Sequence, residues 1–388
     1  MVGDRIKIMR RVLVTLDSRA TIGYSSNVMK AMENEPSLEV KTLVTGMHLM
    51  PELGNTVEML KEMDISISAT VPMSPAKGQT GWARGLGNGI AGFADAYKDL
   101  DPDIVLISGD RIESFGLCIA AAYAGIPVAH IQAGDKSGHI DDAARMAMAK
   151  LAHIHLAPGS DSVTRLKRLG EQEFRIHDVG APQLDDMVDR DFKANSVEID
   201  GRKFDLAEPY LLLLQHPVMT EQEQTTKQME QTIEGCLSSG LPIFWIYPNS
   251  DLGFRSILDV FNSRRESDRI FGIPNIERDT YLTLLANATC LVGNSSSGIL
   301  EAPTFKIPVV NIGDRQRGRP QATNILNCPH DKDAIKRTIE KLLHDEDFKI
   351  SCNSAVNPFG DGHSGPRIAK ILSEINLDKN LMDKETTY

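Results

Sequence analysis

The chain has 388 residues, 41% of them hydrophobic, so it can bury one large core or two of moderate size, and we expect two. Acidic residues number 53 against 42 lysines and arginines, and the net charge of -11 disfavours nucleic acids and acidic membrane surfaces as partners. No apolar run approaches the roughly 18 residues that span a membrane, and the charged start lacks the apolar core of a signal peptide, so we expect a soluble cytoplasmic protein.

Short apolar runs alternate with longer segments of helical composition along the chain, which is the βαβ pattern. Because the runs are apolar throughout and do not alternate with polar residues, they predict strands covered on both faces, hence parallel sheets with helices on each side. The expected fold class is therefore α/β, with two Rossmann-like doubly wound domains. The runs are RVLVTLD, VKTLVTG, DIVLISG and PVAHIQA in the first half, then YLLLLQH, LPIFWIYP, ATCLVGNSS and IPVVNIG in the second.

The two groups of strands are separated by a polar segment, Asp185 to Pro209, where we place the interdomain connection. The expected domains are an N-terminal Rossmann-like domain at 1–190 and a C-terminal Rossmann-like nucleotide-binding domain at 205–360. Residues 361–388 contain the helical pattern RIAKILSEI. Ligands of doubly wound sheets bind at the carboxyl ends of strands, so polar residues that directly follow strands are the site candidates.

In the first half, Asp110 and Arg111 follow the run DIVLISG, and a carboxylate beside a guanidinium suits a site that handles a proton and an anion. The alternative is that Asp110 caps the next helix and Arg111 is solvated. Gln132 ends the next strand, and Asp141 begins a loop-to-helix junction where an acid can cap the helix or carry a proton. The segment from Asp142 to His155 has helical composition.

In the second half, the run YLLLLQH ends at His216, and the proline after it stops the strand. Imidazole suits proton transfer near neutral pH, although a strand-end histidine can also fill a core. Cysteine spacing is uninformative about chemistry, because five cysteines without a CxxC pair argue against a disulfide framework or a zinc site. We therefore expect no metal and no cofactor.

A serine-rich turn follows the run ATCLVG and contains Ser295 and Ser296. Backbone N–H groups and hydroxyls of such a turn can hold a phosphate, although serine turns also cap helices routinely. We expect Glu301 one turn inside the next helix, near enough to accept hydrogen bonds from a ribose. Arg315 follows the next strand within RQRGR, a basic stretch suited to one phosphorylated small molecule.

Six motifs in this order carry a resemblance: SGDRIE, HIQAGDKSGHIDD, LQHPVMTE, YPNSD, GNSSSGILE and NIGDRQRGR. The chain resembles the hydrolysing UDP-N-acetylglucosamine 2-epimerases of sialic and legionaminic acid biosynthesis, from Arg19 to about Asp361. The resemblance implies the glycosyltransferase-B arrangement, in which two Rossmann-like domains face a cleft and the C-terminal helix crosses back to the first domain. It also implies a homodimer or homotetramer.

The implied reaction eliminates UDP from a UDP-sugar with loss of the C-2 proton, and water then adds to the glycal to give N-acetylmannosamine or a related epimer. The residue roles implied by the resemblance are these: Asp110, Asp141 and His216 for acid-base chemistry, Ser295 and Ser296 for the diphosphate, Glu301 for the ribose, and Arg19, Arg111, Asn249 and Arg315 for the nucleotide or its phosphates.

Three positions depart from the family pattern. Gln132 stands where the family has a glutamate with an acid-base role, Thr21 replaces an aspartate and Met146 replaces a histidine. An amide cannot exchange protons near neutral pH. The alternatives left open are that Asp135, Asp141 or Asp110 carries the proton alone, or that the substrate is a diacetamido sugar carried by UDP or GDP. A nucleotide-sugar-binding regulator without turnover and a glycosyltransferase of the same architecture are the other readings.

Overall fold

The computed structural model describes residues 9–50, 57–73, 80–136, 140–248, 253–264, 267–274 and 276–387. The chain divides into two compact units. Unit 1 comprises Met1–Val188 together with Phe359–Tyr388, and unit 2 comprises Asp189–Pro358.

Unit 1 is built on a parallel sheet of seven described strands in the order β3-β2-β1-β4-β5-β6-β7. The strands are β1 (Arg10–Leu16), β2 (Leu38–Thr45), β3 (Ala69–Val71), β4 (Ile104–Ser108), β5 (Val128–Ile131), β6 (Ile154–Ala157) and β7 (Ile176–Asp178). The helices are α1 (Arg19–Glu33), α2 (Val57–Glu62), α3 (Gly81–Leu100), α4 (Ile112–Tyr123), α5 (Ile140–Leu151) and α6 (Ser160–Arg168). The 3-10 turns are Gly46–Leu49, Glu173–Arg175 and Pro182–Leu184.

Both faces of the unit 1 sheet are buried, which is why its strands read as continuous apolar runs. On β1, Val12, Val14 and Leu16 pack in one hydrophobic cluster, while Leu13 packs in the cluster on the opposite face. Successive side chains of a strand point to opposite faces, so a strand with a core on each side needs apolar residues at every position.

Unit 2 contains a second parallel sheet of six described strands in the order β12-β11-β10-β13-β14-β15, and an antiparallel hairpin of β8 and β9. The strands are β8 (Ser196–Ile199), β9 (Arg202–Asp205), β10 (Leu211–Leu214), β11 (Ile243–Ile246), β12 (Ile270–Ile273), β13 (Cys290–Gly293), β14 (Val309–Ile312) and β15 (Ile325–Cys328). The helices are α7 (Thr225–Leu237), α8 (Phe254–Asn262), α9 (Arg278–Asn287), α10 (Ser297–Leu300), α11 (Ala302–Phe305), α12 (Lys332–His344) and α13 (Glu346–Asn353), and a 3-10 turn covers Met219–Gln224.

The last two helices, α14 (Ser364–Glu374) and α15 (Lys379–Met382), belong to unit 1. Helix α14 packs against α1, and its Ile368 and Leu372 complete the core cluster that contains Val12. None of the described helices combines the length and the apolar character that crossing a membrane requires.

The predicted α/β class with two parallel, doubly wound sheets is confirmed, and all eight apolar runs form strands. One expectation about local structure is wrong: the segment of helical composition from Asp142 to His155 leaves its helix at Leu151 and enters β6. The polar connection between the strand groups contains the β8–β9 hairpin. His155 is fully buried in β6 and bonds to Glu171, a pairing that gives a polar residue a place inside a strand.

Candidate active site

At the carboxyl edge of the unit 1 sheet, a buried arginine joins the ends of β4 and β5. Arg145 on α5 forms an ion pair with Asp110, and its Nη1 donates to the backbone oxygen of Gln132 at 2.7 Å. The Arg145 and Asp110 side chains are 5% and 16% exposed. Burial lowers the pKa of Arg145, but attraction by Asp110 and Asp135 outweighs it and the pKa is raised. Asp110 is therefore a carboxylate held against a permanent positive charge.

Gln132 is buried in a left-handed backbone conformation, with φ of 63°. Its Nε2 donates to Oε1 of Gln183 at 3.0 Å, while its Oε1 has no hydrogen-bond partner among the described residues. The Nε of Arg145 is also buried without such a partner. A left-handed backbone costs an ordinary residue about 1 kcal/mol or more, and strain of this kind occurs at functional sites. An unsatisfied acceptor in this strained turn, and an unsatisfied donor on the arginine that bonds to the turn, mark a place where a polar ligand atom would be stabilised.

The turn between β4 and α4 is fixed from the side by His130, which is fully buried on β5. Its Nε2 lies 2.6 Å from the backbone oxygen of Gly109. Burial lowers the pKa of His130 to about 3, so the ring is neutral. Because a carbonyl can only accept, the single proton sits on Nε2 and donates to Gly109. His130 is thus a positioning residue for the turn that carries Asp110.

Two buried carboxylates, Asp17 after β1 and Glu113 in α4, lie at the same sheet edge. Ser114 donates a hydrogen bond to Asp17, and Nε of Arg111 lies 3.3 Å from Oε2 of Glu113. Burial is the main cause that raises the pKa of Asp17 to about 6; the negative charge of Glu113 adds to the effect and the Ser114 hydrogen bond opposes it. Arg111 therefore has a carboxylate partner, although its side chain is also partly exposed to solvent.

Replacing Asp17 with asparagine is expected to stabilise the protein at pH 7.5 by up to about 3 kcal/mol and to have no effect near pH 4. The folded pKa lies above the unfolded one, so the carboxyl is tolerated when protonated and destabilises the fold as the pH rises from 3.8 through about 6. The melting temperature of both proteins across this range tests the prediction. Exposed Asp99, changed to asparagine, is the control; an equal gain at pH 4 and pH 7.5 would contradict the assignment.

Thr21, where the resemblance implies an aspartate, has a local structural role at the start of α1. Its Oγ1 accepts from the backbone N–H groups of Asp17 and Ser18 at 3.1 Å each and donates to the Ser18 oxygen at 2.7 Å. The hydroxyl therefore satisfies two buried backbone amides that precede the helix, as the side chain at the third position of a capping box does. It has no protonation chemistry near neutral pH.

In unit 2, the ends of β10 and β13 are tied together by one side chain. The amide of Asn294 makes two hydrogen bonds to the backbone of His216: Oδ1 accepts from its N–H at 2.7 Å and Nδ2 donates to its oxygen at 2.8 Å. Gly293 permits this approach, since a Cβ there would lie 2.1 Å from the Leu214 oxygen. Gln215 is fixed as well, by a 2.8 Å hydrogen bond from Thr232.

The serine turn leads into two short helices. Helix α10 has only four residues, Ser297–Leu300, and Glu301 lies one turn after its start, at the junction with α11. Pro303 at the start of α11 explains the break, because proline cannot continue a hydrogen-bonded helix. The Glu301 carboxylate is ion-paired with Arg278, and Ser295 is buried at the turn.

Arg315 and Gln316, which follow β14, both reach the serine turn. Nη1 of Arg315 and Nε2 of Gln316 donate to the backbone oxygen of Asn294 at 3.1 and 3.0 Å. The guanidinium is thereby held directly beside the backbone of Ser295. A guanidinium next to a turn of hydroxyls and N–H groups is an arrangement that can bind a phosphate.

The predicted site residues fall into two groups, each at the carboxyl edge of one sheet. Unit 1 brings Asp110 and Gln132 together through Arg145, and unit 2 brings His216, Ser295 and Arg315 together through Asn294. Asn249 lies outside the described residues, and only the helical backbone is described for Arg19 and Asp141. Within the described ranges no group of three or more His, Cys, Asp or Glu residues could hold a metal ion.

Three residues of these groups escaped prediction although the sequence contained a signal for each. Arg145 shares the helix face of buried Met148 and Ala149, three and four positions on, so a charged residue there requires a buried partner. Asp17 ends the first apolar run, and Asn294 stands inside the serine motif. What the sequence did not contain was the identity of their partners.

Comparison with known proteins supports one family. The sequence pattern of the family described as UDP-N-acetylglucosamine 2-epimerase matches residues 30–373. The chain is 33% identical over 384 residues to a Legionella pneumophila protein named UDP-N,N'-diacetylbacillosamine 2-epimerase (hydrolyzing), covering 98% of this chain and 100% of the relative. It is 34% identical over 335 residues to a UDP-N-acetylglucosamine 2-epimerase of Neisseria meningitidis serogroup B, covering 86% and 87%.

The fold is shared with solved structures. The crystal structure of the Neisseria meningitidis UDP-GlcNAc 2-epimerase bound to UDP-GlcNAc has a TM-score of 0.77, with 17% identity and coverage of 93% of this chain and 99% of that one. The Methanocaldococcus jannaschii enzyme in complex with UDP-GlcNAc and UDP has a TM-score of 0.71, with 17% identity and coverage of 94% and 99%. The chain belongs to the UDP-N-acetylglucosamine 2-epimerase family.

Proposed function

We propose that this protein is a hydrolysing 2-epimerase that converts a UDP-activated N-acetylated amino sugar, UDP-N-acetylglucosamine, into N-acetylmannosamine and UDP. The observation that carries the proposal is the unit 2 cluster, in which one asparagine joins His216 to the serine turn and Arg315. A proton-transferring group and a phosphate-binding group are thus held in one rigid arrangement. The names of the Legionella and Neisseria relatives agree with this chemistry.

The reaction has two steps whose atoms balance. First the bond between C-1 and the UDP oxygen breaks while a base takes the C-2 proton, which leaves a C-1 to C-2 double bond and free UDP. Water then adds, with its hydroxyl to C-1 and a proton to C-2 on the opposite face, which inverts C-2. The C-2 proton, on the carbon that bears the acetamido group, is weakly acidic, so stabilisation of the departing diphosphate must lower much of the barrier.

In this proposal the residues of unit 2 stabilise the leaving group. Ser295, Ser296 and Arg315 bind the diphosphate, and Glu301, oriented by its ion pair with Arg278, accepts from the ribose. His216 faces the sugar and transfers a proton. From unit 1, Asp110, which is ion-paired with Arg145, is the leading candidate for the C-2 base, and Asp141 is the other.

Restoring the family glutamate through Gln132→Glu is expected to raise kcat by about tenfold or more, since a positioned acid-base group contributes at least that factor. The side chain is the same size, Gln183 can rotate its amide to donate, and the nearby Arg145 charge favours a carboxylate. Steady-state UDP release measures the effect.

Gln183→Glu is the matched control, because it introduces the same charge on the other side of the same hydrogen bond. It should not raise kcat. If Gln132→Glu lowers activity while Gln183→Glu leaves it unchanged, the amide itself has a positive function and the substrate differs from that of relatives with glutamate.

A product assay tests the proposed function directly. The protein is incubated in D2O with UDP-N-acetylglucosamine, and the sugar is followed by NMR. N-acetylmannosamine carrying deuterium at C-2, together with free UDP, is the expected result. Product without C-2 deuterium would favour a glycosyltransferase, and UDP binding by calorimetry without any turnover would favour a nucleotide-sugar-binding regulator. The buried, hydrogen-bonded amide of Gln132 is the observation that favours the regulator as second candidate.

The sugar itself is the other open choice, and one observation favours a diacetamido substrate. The Legionella relative, which the chain matches over its whole length, is named for a UDP-linked diacetylbacillosamine. Running the same NMR assay with UDP-N,N'-diacetylbacillosamine and with its GDP analogue ranks the substrates by kcat/KM.

A further inference from the structure

We propose that Asn294 is a positioning residue that fixes His216 relative to the diphosphate-binding turn. This inference rests on the function proposed above for its kinetic consequences, but its structural part is independent of any reaction. It assigns a role to the asparagine of the GNSSS motif, whose serines alone were candidates from the sequence.

Asn294 is only 1% exposed, and its side-chain amide satisfies both backbone polar groups of one residue, His216, at 2.7 and 2.8 Å. His216 lies beyond the last residue of β10, where no strand ladder continues to hold the chain. Through its side chain, Asn294, one residue beyond β13, therefore holds the residue that lies two positions beyond β10 and carries the imidazole.

The backbone of Asn294 contacts the residues that follow β14. The backbone oxygen of Asn294 accepts from Arg315 and from Gln316, at 3.1 and 3.0 Å. The side chain thus holds the proton-transferring residue while the backbone holds the phosphate-binding one. Only the first of these two functions depends on the identity of residue 294, since every amino acid has a backbone oxygen.

The surroundings explain why this connection is rigid. Gly293 brings β13 so close to β10 that a Cβ would overlap the Leu214 oxygen, and Gln215 is held by Thr232. His216 itself is followed by proline, which restricts its backbone to extended conformations. Without Asn294, the N–H and oxygen of His216 would each lose the hydrogen bond that the amide makes, and the imidazole would shift relative to the turn.

Asn294→Ala is expected to lower kcat on the order of 100-fold, because displacement of a reacting group by about 1 Å has that effect. The Kd for UDP, measured by calorimetry, should change by less than about threefold, since Arg315 keeps its acceptor. Hydrogen exchange of the His216 backbone amide, followed by NMR, should accelerate. Parallel loss of UDP affinity and kcat would overturn the proposal, because it would place Asn294 in nucleotide binding.

Asn294→Asp is the sharper variant, and it also serves if the alanine variant folds poorly. It keeps the acceptor for the His216 N–H but opposes the His216 oxygen with a second acceptor, so it should not restore kcat. Full activity of the aspartate variant would contradict the proposal that both hydrogen bonds from Asn294 to the His216 backbone are needed. Asn311→Ala is the matched control: Asn311 is a buried asparagine on neighbouring β14 that bonds to Asn327 and not to His216, and its loss should leave kcat unchanged.

The two proposals fail in distinguishable ways. If the wild-type protein turns over no sugar nucleotide, the proposed function fails, while amide exchange at His216 still reports whether Asn294 holds it. If the wild type is active and exchange at His216 is the same in both Asn294 variants as in wild type, the positioning role is wrong and the function stands.

Discussion

Changing His216 to glutamine is expected to reduce kcat for UDP release by about 1000-fold, within the range that general acid-base groups contribute. Glutamine can still hydrogen-bond to the sugar, but it cannot exchange a proton near neutral pH. The backbone contacts with Asn294 do not depend on the side chain at 216, so the serine turn and Arg315 should keep their arrangement. The Kd for UDP should therefore stay within about threefold of wild type.

The control is another histidine of unit 2. His344 is exposed in the last turn of α12, and His344→Gln should leave both kcat and UDP binding unchanged. Retention of more than about a tenth of wild-type kcat by His216→Gln would remove His216 from the proton-transfer step, since an acid-base role contributes at least about 100-fold. The proton would then have to be handled by unit 1 residues alone.

Arg145→Met is expected to destabilise unit 1 by about 3–5 kcal/mol, because it leaves the Asp110 carboxylate largely buried without its counter-charge. It also removes the hydrogen bond that holds the left-handed Gln132 turn. Calorimetry gives the loss in melting temperature, and hydrogen exchange of peptides from β4 and β5 assigns the loss to unit 1.

Two variants sharpen this test. Arg367 forms a two-bond ion pair with Asp361 in the same unit, but both side chains are exposed, so Arg367→Met should cost less than about 1 kcal/mol. Adding Asp110→Asn to Arg145→Met removes the stranded charge and should recover part of the stability. If the double variant is as unstable as the sum of the two single ones, the ion pair is not the cause.

Asp17 and Asp110 of unit 1 are carboxylates that could supply the acid-base chemistry which Gln132 lacks. The resemblance implies a carboxylate at position 132, whereas here the amide is hydrogen-bonded to Gln183. Two carboxylates of unit 1, Asp17 and Asp110, belong to neighbouring strand ends. Asp110 is the one paired with a cation. Asp17, whose pKa is raised to about 6 by burial and by Glu113, is mostly ionised at neutral pH and takes up a proton as the pH falls through about 6.

Strands in the middle of each sheet could be predicted and strands at the edges could not. The central strands are covered on both faces and are apolar at successive positions, as in β4 and β10. The edge strands β3 and β7 have three residues each, and β7 is not fully buried at any position, so neither forms an apolar run. Strand β6 contains His155, whose burial depends on a hydrogen bond to Glu171, a residue outside the strand.

The same distinction applies to the candidate site. Placing polar residues after strands identified Asp110, Gln132, His216 and Arg315 as candidates, because parallel strands present their carboxyl ends at one edge. Contacts among these residues could not be predicted in this way. Whether Arg145 is solvated or paired, for example, depends on α5 lying against the ends of β4 and β5.

By itself, the sequence determined that this protein has two parallel α/β sheets, since burial on both faces demands continuous apolar strands, and its ordered motifs pointed to the family. Only the tertiary structure decided which residues hold the candidates in place: Arg145 between Asp110 and Gln132, and Asn294 between His216 and Arg315. The physical reason is that a hydrophobic pattern is local and repeats along the chain. A buried hydrogen bond or ion pair joins two particular atoms that only folding brings within 3 Å or so of each other.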